Sequence, residues 1–136
     1  MKKIEHIGIA VKDLKASNTV YEKLLGVAHY KIEDVASEGV KTSFFRIGES
    51  KIELLQATTP ESPIAKFIAK RGEGVHHVAF AVEDIEAEIK RLKNEGFEMI
   101  HHSPKQGADG KLIAFLHPKS SGGVLVELCQ DMDNKE

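Results

Sequence analysis

Cysteine occurs once in the 136 residues, at Cys129, so no disulfide can close within the chain and no thiolate zinc cluster can form. A reducing cytosol is the compartment that suits such a chain. A charge excess is missing too: the formal net charge is −2 and the signs are mixed along the sequence. No basic stripe therefore stands ready to displace counterions from nucleic acid. Nor does any apolar stretch approach the ~18 residues of a membrane-spanning helix. Residues Met1 to Glu5 lead straight into a strand-like pattern, without the apolar run and cleavage site of a signal peptide. What is present is an ordinary globular composition, with hydrophobic residues at 41% and charged residues at 29%, in a chain the usual size of one domain.

The chain repeats itself. His6-Ile7-Gly8-Ile9-Ala10-Val11-Lys12-Asp13-Leu14 aligns with His77-Val78-Ala79-Phe80-Ala81-Val82-Glu83-Asp84-Ile85 at an offset of 71 (77 − 6). Each copy reads as a strand followed by an aspartate suited to cap a helix. Leu14, Tyr21, Leu24 and Leu25 then keep helical spacing up to Gly26, and Ile85, Ile89 and Leu92 do so up to Gly96. Strand-like runs follow at Lys41 to Ile47 and Lys51 to Gln56, and again at Lys111 to His117 and Val124 to Gln130. Gly48-Glu49-Ser50 and Ser120 to Gly123 read as tight turns between them. The pattern predicts an α+β single domain over 1–136: one βαβββ module over 3–57, a connector over 58–74 with a short helix near Ile64, Phe67 and Ile68, and a second module over 75–130. Residues 131–136 are polar and expected to fray.

The repeat also selects residues with chemistry. His6 and His77 share a place in the first strand of each module, and Glu53 and Glu127 share one in the last, offset by 74 (127 − 53). Two imidazoles and two carboxylates brought together about a pseudo-twofold axis would suit a metal ion. A carboxylate facing solvent on an edge strand is the plainer reading of each glutamate. His76 is next to His77 and must point to the opposite strand face. His29, His101, His102 and His117 have no repeat partner and read as surface or satisfied histidines, and Cys129 as a buried, inert thiol. Lys119, Ser120, Gly122 and Gly123 could bring a cation and backbone amides to an anionic ligand, or simply form a hairpin turn. Lys66, Lys70 and Arg71 could meet phosphates, or form a solvated helix face.

Five runs carry a resemblance: His6-Ile-Gly-Ile-Ala-Val-Lys-Asp-Leu14, Lys51-Ile-Glu-Leu-Leu55, Ser62-Pro-Ile-Ala-Lys-Phe67, Arg71-Gly-Glu-Gly-Val-His-His77, and Phe115-Leu-His-Pro-Lys-Ser-Ser-Gly-Gly-Val-Leu-Val-Glu-Leu-Cys-Gln130. Together they resemble the methylmalonyl-CoA epimerases of the vicinal-oxygen-chelate, or glyoxalase-like, superfamily along the whole chain. The first run is common to the superfamily; the connector and the run from Phe115 are more specific.

The resemblance implies a vicinal-oxygen-chelate fold, metal ligands at His6, Glu53, His77 and Glu127, and a divalent ion such as cobalt, nickel, manganese or zinc. It implies a CoA thioester substrate and a cytoplasmic homodimer, with no part for nucleic acid or membrane. The implied reaction interconverts (2S)- and (2R)-methylmalonyl-CoA, with Glu127 and Glu53 as the proton-transferring residues and Lys119, Ser120, Gly122 and Gly123 receiving the substrate carboxylate or the CoA arm. The Glu53 position is glutamine in some members. Thr42 stands where some members carry a glutamate assigned as a catalytic base, and a threonine cannot take that role. Glyoxalase I shares the size, repeat and ligand set, but not the connector or His117-Pro118-Lys119-Ser120. A metal-free binding protein of the same fold would have no need of all four ligand residues.

Overall fold

The computed structural model describes residues 1–132; the last four residues of the polar tail lie outside the described residues. The elements run β1 (Lys3–Ala10), α1 (Leu14–Leu25), β2 (Lys31–Val35), β3 (Val40–Ile47), β4 (Ser50–Ala57), α2 (Pro63–Arg71), β5 (Gly74–Ala81), α3 (Ile85–Asn94), β6 (Lys105–Gln106), β7 (Lys111–Leu116) and β8 (Val126–Asp131). Either side of α2 the order is βαβββ, the arrangement of a glyoxalase-like fold. The chain divides into two compact units, His6–His76 and Met1–Glu5 with the residues from His77 onward. No helix among the described residues is long and apolar enough to cross a membrane.

In the first unit the strands run β2-β3-β4-β1. The β2–β3 and β3–β4 pairs are antiparallel and β4–β1 is parallel, with His6 opposite Lys51 and Ala10 opposite Leu55. The second unit repeats this as β5-β8-β7-β6, parallel between β5 and β8 and antiparallel elsewhere. In each, the last strand of the module is an interior strand.

The helices begin where the two aspartates lie. Asp13 accepts from the Ala16 N–H at 3.2 Å and Asp84 from the Ala87 N–H at 3.1 Å, each cap contributing about 1 kcal/mol. A second acceptor serves the next amide in both copies: Gln56 Oε1 lies 2.6 Å from the Leu14 nitrogen and Gln130 Oε1 lies 2.7 Å from that of Ile85. Helix α1 ends as its glycine predicts, with Gly26 at φ 75° donating to Glu22 O. Helix α3 also ends as its glycine predicts: Glu95 is the cap and Gly96, at φ 96°, takes the left-handed position just after it, with the Gly96 N–H donating to Lys93 O and the Phe97 N–H to Leu92 O.

Each helix covers one face of the strands of its own unit. Leu14 with Tyr21 and Leu25 of α1 packs on Val11, Phe45 and Leu54. Ile85, Ile89 and Leu92 of α3 pack with Val82, Met99, Ala114, Leu116 and Leu128. Alternation along a strand then sends Glu53 and Glu127, next to Leu54 and Leu128, to the opposite face. The connector helix α2 packs Ile64, Phe67 and Ile68 against Ala10, Val40 and Leu55. Because Leu54 is fully buried, Leu54→Ala should cost about 2–5 kcal/mol, read as a lowered urea midpoint; a change under about 0.5 kcal/mol would contradict this packing.

The second strand of each module has no clear run of its own in the sequence. Lys31-Ile32-Glu33-Asp34-Val35 lies at an edge with Ile32 exposed, and β6 is only two residues long. With so little apolar burial, neither leaves a strong alternating signature. The stretch read as a tight turn at Ser120 to Gly123 does reverse the chain between the antiparallel β7 and β8, beginning two residues earlier with a 3-10 turn over Pro118–Ser121 closed by Gly122 at φ 71°.

Candidate active site

Strand β1 carries His6 and strand β4 carries Glu53, and in the first unit they meet: His6 Nδ1 lies 3.2 Å from Glu53 Oε2. Both are buried, at 4% and 5% exposure. The same Glu53 oxygen lies 3.6 Å from Lys51 Nζ, on a lysine that is itself only 4% exposed. Phe44 stands opposite Glu53 in the β3–β4 register, and Lys51 Nζ lies 5.6 Å from the centroid of its ring.

The second unit repeats the pair. His77 of β5 and Glu127 of β8 are both buried, with His77 Nε2 3.0 Å from Glu127 Oε1. Phe115, at the Phe44 position of the repeat, stands opposite Glu127 in register. Its ring meets His77 edge-on, with centroids 5.5 Å apart. The His101 ring also lies by Phe115, with centroids 5.7 Å apart, and its Nδ1 accepts the Phe115 N–H.

Burying a carboxylate without a partner is costly, so the solvent-edge reading of the two glutamates fails: each sits on an interior strand beside an imidazole. Imidazole nitrogen and carboxylate oxygen are donors that fit a divalent ion such as cobalt, nickel, manganese or zinc. The residues present therefore suit the metal that the family implies.

The remaining histidines are occupied elsewhere. His76 packs edge-on against Phe67 of α2 at 5.0 Å, the opposite face from His77, as alternation requires. His29 Nδ1 lies 3.3 Å from Glu22 Oε2. His117 Nδ1 accepts the Lys119 N–H, and His102 lines a surface cavity beside α3. Cys129 is buried. Thr42 is buried on β3 opposite Leu55. Around Lys119 the turn uses several of its own polar groups: Ser120 Oγ accepts the Glu98 N–H, Gly123 N–H donates to Pro118 O, and the exposed Lys119 Nζ lies 3.6 Å from Glu98. Arg71 lies over the Phe67 ring.

Three residues of the two clusters were not singled out from sequence: Lys51, Phe44 and Phe115. A signal existed for Lys51, which precedes Glu53 by two and so must share its strand face. The two phenylalanines are related by the same offset of 71 (115 − 44) as the histidines.

Comparison with known proteins identifies the family. A family model described as the glyoxalase/bleomycin resistance protein/dioxygenase superfamily matches residues 5–115, and enzymes of this superfamily typically use divalent metals. The ethylmalonyl-CoA/methylmalonyl-CoA epimerase of Cereibacter sphaeroides is 42% identical over 130 residues, covering 94% of this chain and 97% of the relative. A solved structure of a hypothetical protein from Bacillus halodurans superposes with a TM-score of 0.94 at 49% identity, over 98% of this chain and 97% of the other. A Streptomyces coelicolor methylmalonyl-CoA epimerase variant, solved with 2-nitronate-propionyl-CoA, superposes with a TM-score of 0.92 at 36% identity, over 96% and 95%. The chain belongs to the methylmalonyl-CoA epimerases, within the glyoxalase/bleomycin resistance protein/dioxygenase superfamily.

Proposed function

We propose that this chain interconverts (2R)- and (2S)-methylmalonyl-CoA by exchanging the proton on C2. The observation that carries the reading is the buried imidazole–carboxylate pair present in each module of a chain belonging to this family. His6, Glu53, His77 and Glu127 are the side chains that would hold the divalent ion. The chemistry supplied by a divalent ion so held is Lewis-acid stabilisation of negative charge on substrate oxygens, an effect of several kcal/mol.

The protein's own part is proton transfer. A carboxylate removes the C2 proton, the C–H electron pair moves into the bond toward the thioester carbonyl, and the carbonyl oxygen takes the charge as an enolate. Return of a proton to the other face completes the inversion. We assign these roles to Glu127 and Glu53, one for each face. Thr42 has no carboxylate to offer. Lys119, with Ser120, Gly122 and Gly123, is assigned to the anionic groups of the substrate, since its ammonium is largely exposed at a turn. A homodimer follows from the family likeness, and a cytoplasmic setting suits the single buried thiol.

In deuterated water with a divalent metal, the protein should wash deuterium into C2 of methylmalonyl-CoA and equilibrate the epimers. Methylglyoxal with glutathione should turn over at least about a hundredfold less efficiently, a difference of about 2.7 kcal/mol in transition-state binding. Efficient formation of lactoylglutathione without C2 exchange would make the chain a glyoxalase I instead.

A further inference from the structure

A lysine as buried as Lys51 is rare unless it meets a counter-charge. Its counter-charge here is Glu53, whose Oε2 also faces His6. The arrangement is set by the backbone: Lys51 is the register partner of His6 on β1, and Glu53 that of Phe44 on β3. Counting back two residues from Glu127 gives Leu125, where Glu53 has Lys51.

We propose that Lys51 is a positioning residue that cancels the charge of Glu53, so that the pair serves as a neutral oxygen donor. This rests on the reading of His6 and Glu53 as metal ligands. A group behind a ligand sets how basic that ligand is. An ammonium on the carboxylate draws charge away from the oxygens and repels an approaching cation. The pair therefore holds the affinity for a divalent ion down and leaves the site more electrophilic than two free carboxylates would. A neutral amide at position 53 should then be acceptable only when the lysine is removed with it.

The test is cobalt(II) binding, followed by calorimetry and by the visible spectrum of the bound ion, in the unaltered protein and in Lys51→Met, Lys51→Arg, Glu53→Gln and the Glu53→Gln/Lys51→Met double variant. Methionine keeps the apolar stem that packs by Phe44. Lys51→Met should bind cobalt about tenfold tighter and Glu53→Gln about tenfold more weakly. Lys51→Arg should match the unaltered protein, and the double variant should return to within about threefold of it. Should Lys51→Met not fold, the comparison of Glu53→Gln with the charge-matched double variant still decides. Unchanged or weaker binding by Lys51→Met, or a double variant no better than Glu53→Gln, would overturn the inference while leaving the ligand assignment intact. No cobalt binding by the unaltered protein would overturn both.

Discussion

Glu127→Gln should lower epimerisation turnover by about 10²–10⁴-fold, the usual loss when a positioned general base is removed, while thermal unfolding changes little. The substitution is nearly isosteric, and the amide oxygen can still face His77 Nε2, which lies 3.0 Å from Glu127 Oε1. What disappears is the ability to take a proton. Thr42→Ala supplies the comparison: by the family resemblance Thr42 stands where some members carry a glutamate base, and its hydroxyl cannot take that role, so its loss should cost under about tenfold in kcat. A Thr42 variant as impaired as Glu127→Gln would show that the second catalytic position is misassigned. A Glu127→Gln enzyme with normal turnover would remove Glu127 from the chemistry.

His77→Ala should abolish stable binding of about one divalent ion per chain, whereas His76→Ala should retain it. Metal content after dialysis, by elemental analysis, reads both. The contrast depends on neighbouring side chains on one strand pointing in opposite directions. His77 meets Glu127, while His76 lies edge-on against Phe67. His76→Ala should show its cost in the packing of α2 instead, as a lower unfolding midpoint. Equal loss of metal from both variants would sink the assignment of His77.

Much of this was legible in the residues because the gene-level repeat survives as chemistry. His6 with His77, Glu53 with Glu127, and Asp13 with Asp84 each occur at matching positions, and a side chain repeated in place is hard to explain by burial alone. The strands carrying them were readable because β4 and β8 have continuous apolar neighbours such as Leu54, Leu55 and Leu128. Strands β2 and β6 were not, since one lies at an edge with little to bury and the other is two residues long. Lys51 escaped notice for a different reason. A lone lysine at the start of a strand looks like a solvated end, and only the register with His6 and the distance to Glu53 reveal it as an interior charge. The turn after His117 was readable from its two glycines, but not the 3-10 turn at Pro118 with which it begins.

The glutamines that close the two helix starts bear on how each module assembles. Gln56 reaches Leu14 and Gln130 reaches Ile85 from the far end of the same module, 42 and 45 residues along the chain. The first turn of each helix is therefore not finished until the last strand has docked, and the chain between must already have lost its freedom by then. The helix start and the strand that bears the glutamate become one cooperative event. If the strand holding Glu53 or Glu127 peels away, the helix start loses that acceptor, which links the ordering of each glutamate to that of its own half.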